Sequence, residues 1–215
     1  TTLFNALTGL RAKTGNYPGV TVARYEGRHR VGEADVIIED LPGTYSLEAI
    51  SPDEEVVSQV LGDGVSVGSP ITGQIVLLDA TSLRRSLTLL SHVQQVARPT
   101  LVVLTFTDEL ARRGGSVDIK ALSRAIGVRV IPIVAGDRAG VEELSEALSS
   151  VESWPAPIVP PPIGQSDIFS WSASVLEAAH YREADTDRRS HGIDRVLLHP
   201  LWGTLVFFAT MYAFF

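Results

Sequence analysis

The sequence contains no cysteine, so it can form no disulfide and can offer no thiolate to a metal ion or a substrate. It is also poor in basic residues, since 18 Lys and Arg stand against 25 Asp and Glu, a formal net charge of −7. Because nucleic-acid binding needs clustered Lys and Arg that neutralise phosphates, we expect no nucleic-acid partner. The five histidines also lack the H-x-x-x-H and H-E-x-x-H spacings of protein metal sites. They are His29, His92, His180, His191 and His199.

The ends of the chain also lack expected features. The sequence begins without an initiator methionine or a signal-peptide pattern, and it ends inside an apolar run. We therefore expect these 215 residues to be a piece of a longer protein.

What the chain does contain is an alternation of apolar runs and helical patterns. The runs ITGQIVLLDA, RPTLVVLTFTDE and VRVIPIVAG are short and nearly continuous, and a helical pattern follows each one. The predicted helices lie at residues 83–96, 119–126 and 141–148. Continuous apolar strands separated by helices are typical of an α/β fold whose parallel sheet is covered on both faces. Upstream, the sequence predicts a helix from Thr1 to Thr8 that ends at Gly9, and then two strands separated by a bend at Gly32 and Glu33.

The ends of these strands supply the candidate site residues, because ligands of such sheets bind outside the carboxyl ends of the strands. The candidates are Asp40, Asp79, Thr105 to Asp108, and Ala135 to Gly136. An aspartate after a strand is also often a helix N-cap or a turn former. For each aspartate alone both interpretations stay open, but the order and spacing of the whole set favour a ligand site.

Two of these segments have the pattern of a phosphate switch. Asp40-Leu41-Pro42-Gly43 is a D-x-x-G motif after a strand, in which the carboxylate reaches magnesium through water and the glycine N–H approaches a γ-phosphate. Thr21, in PGVTV, is placed like a first-switch residue that binds magnesium. Taken alone, D-x-x-G is common, and without the other motifs Thr21 would be interpreted as a strand residue.

A third segment has part of a guanine-reading pattern. Guanine-specific proteins carry Asn/Thr-Lys-x-Asp after a later strand, and the aspartate accepts hydrogen bonds from the ring N–H and the exocyclic amine of guanine. Here the corresponding residues are Thr105-Phe106-Thr107-Asp108, with the aspartate present and threonine in place of asparagine. The last strand ends in VAG at Val134 to Gly136, a poor match to the Ser-Ala-Lys loop that backs the purine.

Longer stretches of the chain resemble the FeoB family of bacterial ferrous iron transporters, from Thr1 to Leu148 and again from Ile193 to the end. They are TTLFNALTG, GNYPGVTVARYEG, DLPGTYSLEAISPDEEV, VLLDATSLRRSLTLLSHV, the TDE loop and IDRVLLHPLWGTLVFFATMY. The resemblance implies a P-loop GTPase-like three-layer sandwich with a mostly parallel sheet, a short helical spacer and the start of a transmembrane helix. The implied boundaries are 1–152 for the GTPase domain, 153–165 for a Pro-rich linker, 166–199 for the spacer and 200–215 for the start of the membrane domain.

The resemblance also implies roles for single residues. Thr1 corresponds to the hydroxyl of the GxxxxGK[ST] loop, and Thr1, Thr21 and Asp40 are the implied Mg²⁺ ligands. Thr44 stands where many GTPases place a water-orienting glutamine, so hydrolysis of GTP to GDP and phosphate is expected to be slow. The implied catalytic residues are Thr21, Gly43 and Thr44. The implied nucleotide-binding residues are Thr1, Thr2, Asp40, Gly43, Thr105, Asp108, Ala135 and Gly136. The implied cofactors are GTP or GDP and Mg²⁺, with K⁺ left open as a further ion.

Three departures from the family pattern carry expectations of their own. The glycines and lysine that precede Thr1 in the phosphate loop are not in this sequence, so we expect this stretch alone to fold poorly and to be inactive. Thr105 lacks the amide that ties the base-reading loop to the phosphate loop, whereas Asp108 keeps the main determinant of guanine preference. The stretch from Pro162 to Ile193 is shorter than the family's helical spacer.

The C-terminal stretch bears on localisation. The fifteen residues after Pro200 carry no charge, whereas a membrane span takes roughly 20, so a buried C-terminal helix is the alternative. Trp202 and Tyr212 suit membrane interfaces, and arginines lie just upstream, as in a cytoplasmic flank. We therefore expect a multi-pass protein of the bacterial inner membrane, with residues 1–199 on the cytoplasmic side. The implied partners are Fe²⁺, as the transported ion, and lipid, with a FeoA-type protein and a homo-oligomer left open.

Two other functions stay open at this stage. One is a soluble regulatory GTPase, against which the apolar end and the absence of a basic RNA-binding appendage count. The other is a degenerate nucleotide-binding module without turnover, which Thr44, Thr105 and the absent phosphate-loop residues favour.

Overall fold

A computed structural model describes residues 2–9, 12–16, 23–32, 34–42, 52–66, 69–134, 138–157, 159–184 and 199–214. The strands are β1 (Ala12–Asn16), β2 (Ala23–Val31), β3 (Ala34–Asp40), β4 (Val65–Ser66), β5 (Ser69–Pro70), β6 (Gln74–Asp79), β7 (Thr100–Thr105) and β8 (Arg129–Ile133). The helices are α1 (Thr2–Thr8), α2 (Pro52–Asp63), α3 (Leu83–Val93), α4 (Thr107–Arg112), α5 (Ile119–Ile126), α6 (Arg138–Leu148), α7 (Gln165–Ala178) and α8 (Pro200–Phe214). Short 3₁₀ turns occur at Ala80–Ser82 and Val151–Ser153.

Three parallel strands in the order β6-β7-β8 form one sheet. The middle strand β7 is the most continuous apolar run, and its residues Leu101 to Leu104 are fully buried. Such burial on both faces is typical of a parallel strand covered by helices. The α/β fold class predicted from the sequence is confirmed.

The first three strands form an antiparallel sheet in the order β1-β2-β3. β2 and β3 are joined by a bend at Gly32, which has a φ of +61°, a conformation that glycine adopts at little cost. The predicted pair of strands and the bend between them are therefore present. β1 is an addition, because the sequence analysis identified no strand at residues 12–16. The region around Val20 and Val22 lies outside the described residues.

Helices cover both faces of the parallel sheet and give a three-layer arrangement. Alternate residues of β7 point to opposite faces, so Val102 and Leu104 lie in one core and Leu101 and Val103 in the other. The first core is closed by helices α3, α5 and α7, and the second by α1 and α6. Residues of β3 pack against the second core, which places the antiparallel sheet beside that layer.

The Pro-rich segment after α6 packs on the domain. The indole Nε1 of Trp154 donates to the Ala147 carbonyl at 3.0 Å, and the backbone N–H of Thr100 donates to the Pro155 carbonyl at 3.1 Å. Gln95 Nε2 reaches the Pro161 carbonyl at 2.7 Å. The helix α7 lies in the stretch predicted to be the helical spacer, and the domain boundaries stay a prediction.

The apolar C-terminal stretch forms the helix α8, fifteen residues from Pro200 to Phe214. Among the residues that the structure describes, no helix combines the length and the apolar character needed to cross a membrane.

Candidate nucleotide site

The carboxyl ends of β6, β7 and β8 lie side by side. In the parallel pairing Asp79 stands opposite Thr105, and Thr105 stands opposite Ile133. The last residues of these three strands are therefore neighbours in the sheet. Strand ends at one edge of a parallel sheet form the usual ligand crevice. Two of the predicted candidates, Asp79 and Thr105, are therefore brought together.

Thr105 uses its hydroxyl within the sheet. Its Oγ1 donates to the Leu78 carbonyl at 3.0 Å, which fastens the end of β7 to β6. The proton of the hydroxyl is therefore used within the sheet, and only the oxygen lone pairs remain to interact with another group. An asparagine at this position would offer an amide as well, so the substitution changes which groups the strand end presents.

Asp79 serves the turn that follows its own strand. Its Oδ1 accepts hydrogen bonds from both the backbone N–H and the hydroxyl of Thr81, each at 2.7 Å. Its backbone N–H donates to Ser86 Oγ at 3.1 Å. The interpretation of Asp79 as a capping residue is the one that this geometry supports.

Directly after β7, Phe106 and Asp108 both face solvent. Phe106 has φ 58° and ψ 29°, in the left-handed region, and its side chain is 53% exposed. Asp108 is exposed as well. Its neighbour Glu109 forms ion pairs with both nearby arginines, Arg112 and Arg113. Hydrogen bonds from these two guanidinium groups lower the pKa of Glu109. Within the described parts of the chain, Asp108 has no such partner, so its carboxylate is available as an acceptor.

Asp40 is the last residue of β3 and is half-buried. It stands opposite Tyr25 in the antiparallel pairing, and it has an interaction of its own within the fold. Thr2 is exposed at the start of α1. The other predicted site residues lie outside the described residues, so their positions stay predictions. They are Thr1, Thr21, Gly43, Thr44, Ala135 and Gly136.

The segment after α7 supports this edge of the sheet from outside. The hydroxyl of Tyr181 donates to the Ala80 carbonyl, in the turn that follows Asp79, at 3.0 Å. Burial raises the pKa of Tyr181, so the hydroxyl keeps its proton and stays a donor. In addition, Ser116 and Arg182 exchange two backbone hydrogen bonds of 3.1 and 2.8 Å. The segment after α7 is thus tied to the turn after β6 and to the loop between α4 and α5.

Sequence reasoning assigned no role to Phe106 or Tyr181. Phe106 lies inside the guanine-reading tetrapeptide, but a motif gives no information about exposure. Tyr181 lies three residues after the end of α7, and its partner lies 101 residues away. Neither the exposure of Phe106 nor the hydrogen bond of Tyr181 can be predicted from the neighbouring residues in the sequence.

Comparison with known families identifies the fold. Residues 1–148 match the family model described as ferrous iron transport protein B. The chain belongs to the FeoB family. The sequence resemblance is therefore confirmed, and so is the GTPase-like α/β fold.

Individual FeoB proteins show the same relationship. The Fe²⁺ transporter FeoB of Leptospira biflexa is 39% identical over 154 residues, 72% of this chain and 22% of that protein. A fusion of Fe²⁺ transport protein A with FeoB from Porphyromonas gingivalis is 33% identical over 161 residues, 75% of this chain and 19% of that protein. This chain thus spans about a fifth of the length of these relatives.

Two solved structures are similar over most of this chain. The cytosolic domain of Legionella pneumophila FeoB is 34% identical, with a TM-score of 0.67, and the match covers 77% of this chain and 63% of that one. The cytosolic domain of the Thermotoga maritima FeoB iron transporter in a GDP form is 29% identical, with a TM-score of 0.63. The match covers 76% of this chain and 61% of the Thermotoga chain.

Proposed function

We propose that this chain is the GTP-binding and GTP-hydrolysing cytoplasmic part of a bacterial ferrous iron membrane transporter. The observation that carries the proposal is the exposed carboxylate of Asp108 directly after β7, in a chain that belongs to the FeoB family. Two related cytosolic domains have this fold, and one of them was solved in a GDP form.

Guanine recognition is assigned to the end of β7. Asp108 lies in the tetrapeptide that follows this strand, and the neighbouring arginines are already paired with Glu109. A free carboxylate accepts from two parallel N–H groups, which guanine offers at its ring nitrogen and exocyclic amine and adenine does not. Thr105 contributes through the position of the strand end, and the loop at Ala135 and Gly136 is proposed to back the purine.

Phosphate and magnesium binding is assigned to residues away from the end of β7. The proposed magnesium ligands, Thr1, Thr21 and Asp40, all supply oxygen, which is the donor that Mg²⁺ prefers. Asp40 is the last residue of β3, and its position at a strand end supports this assignment. Within the described residues no group of three or more His, Cys, Asp or Glu side chains is arranged to hold a metal ion. Magnesium bound here would neutralise charge on the phosphate oxygens.

The hydrolytic residues are proposed to be Thr21, Gly43 and Thr44. Thr44 has a short hydroxyl where a glutamine would reach and orient the attacking water. We therefore propose that turnover is slow and that backbone groups position the water. Thr2 and K⁺ are further proposed contributors to nucleotide binding.

Transport is proposed for the whole protein rather than for this chain. The transported ion would be Fe²⁺, and the protein would lie in the bacterial inner membrane with residues 1–199 on the cytoplasmic side. The Porphyromonas fusion supports a FeoA-type protein as a partner, and a second copy of the protein is a further proposed partner. No nucleic acid is proposed to bind.

The first experiment measures nucleotide binding by the full-length protein, with labelled GTP and ATP titrated in the presence and absence of Mg²⁺. We expect tight, Mg²⁺-dependent binding that favours GTP, and Asp108→Asn should weaken GTP binding while leaving ATP binding unchanged. Asp35→Asn, which alters an exposed aspartate of β3, is the matched control. Equal or absent binding of the two nucleotides would overturn the proposal.

Turnover and transport are tested separately. In a single-turnover assay the full-length protein should hydrolyse GTP, and Asp40→Ala should abolish that hydrolysis. The same variant should reduce Fe²⁺ uptake into vesicles that contain the protein. If GTP binds but is not hydrolysed, the chain is a nucleotide-binding module without turnover.

A further inference from the structure

His29 uses both nitrogens of its ring to join three elements of the fold. It lies in β2, and its imidazole is partly buried. Its Nδ1 is 2.6 Å from the carbonyl oxygen of Leu7, in the last turn of α1. Its Nε2 is 2.7 Å from Oγ of Ser145, in α6. One side chain therefore links α1, β2 and α6, across sequence separations of 22 and 116 residues.

The chemistry of the two partners sets the roles of the ring nitrogens. A carbonyl oxygen only accepts, so Nδ1 carries the proton and donates to Leu7. In the neutral ring, Nε2 then accepts from the hydroxyl of Ser145. The Leu7 carbonyl is one of the last four of α1, which have no partner inside the helix. The ring of His29 therefore satisfies a group that the helix itself leaves open.

α1 and β2 are also in direct contact beside this ring. Gly27 lies two residues before His29, on the same face of β2. A Cβ atom added at Gly27 would overlap the side chain of Thr8, at 2.8 Å from the Cβ of that residue. Thr8 is itself buried, and its Oγ1 donates to the Phe4 carbonyl at 2.8 Å. The helix thus lies directly on the strand, and the hydrogen bond from His29 fixes where along the strand it lies.

Each of the three linked elements begins close to a residue that is proposed to contact the nucleotide. α1 begins directly after Thr1, β2 begins two residues after Thr21, and α6 begins two residues after Gly136. Thr1 and Thr21 are proposed magnesium ligands, and Gly136 is proposed to back the purine. These three residues can contact one nucleotide only if the elements that follow them keep their relative positions.

We propose that His29 is a positioning residue for the nucleotide site. This inference rests on the proposed function and deepens it. The hydrogen bond from Nδ1 to α1 holds the two threonines of the magnesium site in register. The hydrogen bond between Nε2 and α6 holds the purine loop against the same pair of elements. The ring acts through α1 and α6 rather than by touching the nucleotide.

Each hydrogen bond can be removed separately in the full-length protein. His29→Asn keeps a donor near the position of Nδ1 but cannot reach Ser145, whereas His29→Gln reaches Ser145 and loses the donor to Leu7. His29→Gln should lower the Mg²⁺-dependent gain in GTP affinity by about 2- to 10-fold, as expected for one hydrogen bond.

The bond to α6 should have a different signature. His29→Asn and Ser145→Ala should each weaken GTP and GDP by the same factor and leave the Mg²⁺-dependent gain unchanged. Adding Ser145→Ala to His29→Asn should have no further effect, because both changes remove the same bond. Ser145→Ala tests this bond even if a His29 variant does not fold.

Thermal unfolding of each variant separates positioning from a general loss of stability. Gln94→Leu removes another buried hydrogen bond between elements, from Nε2 of Gln94 to the Ile126 carbonyl. It should lower the melting temperature and leave the Mg²⁺-dependent gain unchanged. If Gln94→Leu lowers that gain as much as His29→Gln does, the effect comes from stability alone and the positioning role is overturned.

The two proposals fail in different ways. If the wild-type protein binds neither GTP nor GDP, or binds GTP without any gain from Mg²⁺, the proposed function is wrong and the positioning role is wrong with it. If the wild type binds GTP with that gain, two results would show that only the positioning role is wrong. One is a His29→Gln variant that keeps the full gain, and the other is a Ser145→Ala variant that keeps the full affinity.

Discussion

The close contact between α6 and β8 predicts that alanine is unfavourable at Gly140, and Gly62 of α2 is a matched glycine without such a contact. An alanine Cβ at Gly140 of α6 would lie 2.7 Å from the Pro132 carbonyl oxygen, with two atoms of Ile133 at 3.2 and 3.3 Å. The first distance is too short for a carbon atom, and the contact is with backbone rather than with a flexible side chain. At Gly62 of α2, by contrast, no heavy atom of the described residues lies within 4 Å of the added carbon.

The two substitutions should therefore change stability in opposite directions. Overpacking costs about 1–3 kcal/mol, and the helix propensity of alanine offsets up to about 1 kcal/mol of it. For Gly140→Ala we expect a net loss of about 1 kcal/mol in the free energy of unfolding. Gly62→Ala should gain about 0.5–1 kcal/mol from propensity alone. In a domain of this size, 1 kcal/mol corresponds to roughly 2–4 °C in melting temperature.

Unfolding can be followed by tryptophan fluorescence during urea or thermal denaturation of the protein. Trp154 reports the right region, because its indole donates to the Ala147 carbonyl near the end of α6. Nucleotide affinity should fall in Gly140→Ala as well, since α6 begins at Arg138, two residues after Gly136, and Ala135 and Gly136 are proposed to back the purine. If Gly140→Ala is as stable as wild type or more so, the close approach of α6 to β8 is wrong.

Three further changes test single contacts. Thr105→Val removes the hydroxyl that reaches the Leu78 carbonyl and should cost about 1 kcal/mol of stability, measured by urea unfolding; an unchanged midpoint would contradict this bond. Tyr181→Phe removes the bond to the Ala80 carbonyl and should cost a similar amount, whereas a loss no larger than experimental error would show that this hydrogen bond does not stabilise the fold. Hydrogen bonds from backbone N–H groups of α5 lower the pKa of Asp118. Because a depressed carboxyl pKa stabilises the fold only while the group is ionised, Asp118→Ala should lower the melting temperature at neutral pH. The gap from wild type should close as pH falls through that lowered pKa, and a gap that widens on acidification would refute the assignment.

Local patterns in the sequence were sufficient for much of the fold. The helix predicted at residues 119–126 is α5, with the same bounds. Its limits are set by neighbouring residues, since Asp118 accepts from the Ala121 N–H at 3.0 Å and Gly127 ends the helix with a φ of 74°. The strand β7 was identified in the same way, because a continuous apolar run predicts burial on both faces. The motif that contains Asp108 is likewise recognised from four consecutive residues, Thr105 to Asp108.

Other features depend on partners that are distant in the chain. β1 is a strand because β2 provides a backbone to pair with, and no apolar alternation marks residues 12–16. The sequence analysis considered Thr105 only as a residue that lacks the asparagine amide. In the structure its hydroxyl donates a hydrogen bond to the carbonyl of Leu78, 27 residues away. The Tyr181 hydroxyl reaches back 101 residues to Ala80.

The sequence by itself therefore determined the family and the alternation of parallel strands with helices, and it singled out Asp108 as the candidate for reading the base edge. Each of these follows from short-range periodicity or from a contiguous motif. Only the tertiary structure decided three further features. Asp79 and Thr105 are paired at the ends of neighbouring strands, the Asp79 carboxylate accepts hydrogen bonds from Thr81 in the following turn, and Phe106 is exposed. Those outcomes depend on the register of parallel strands and on which atoms crowd one another after folding. Neither is encoded in the local pattern of residues.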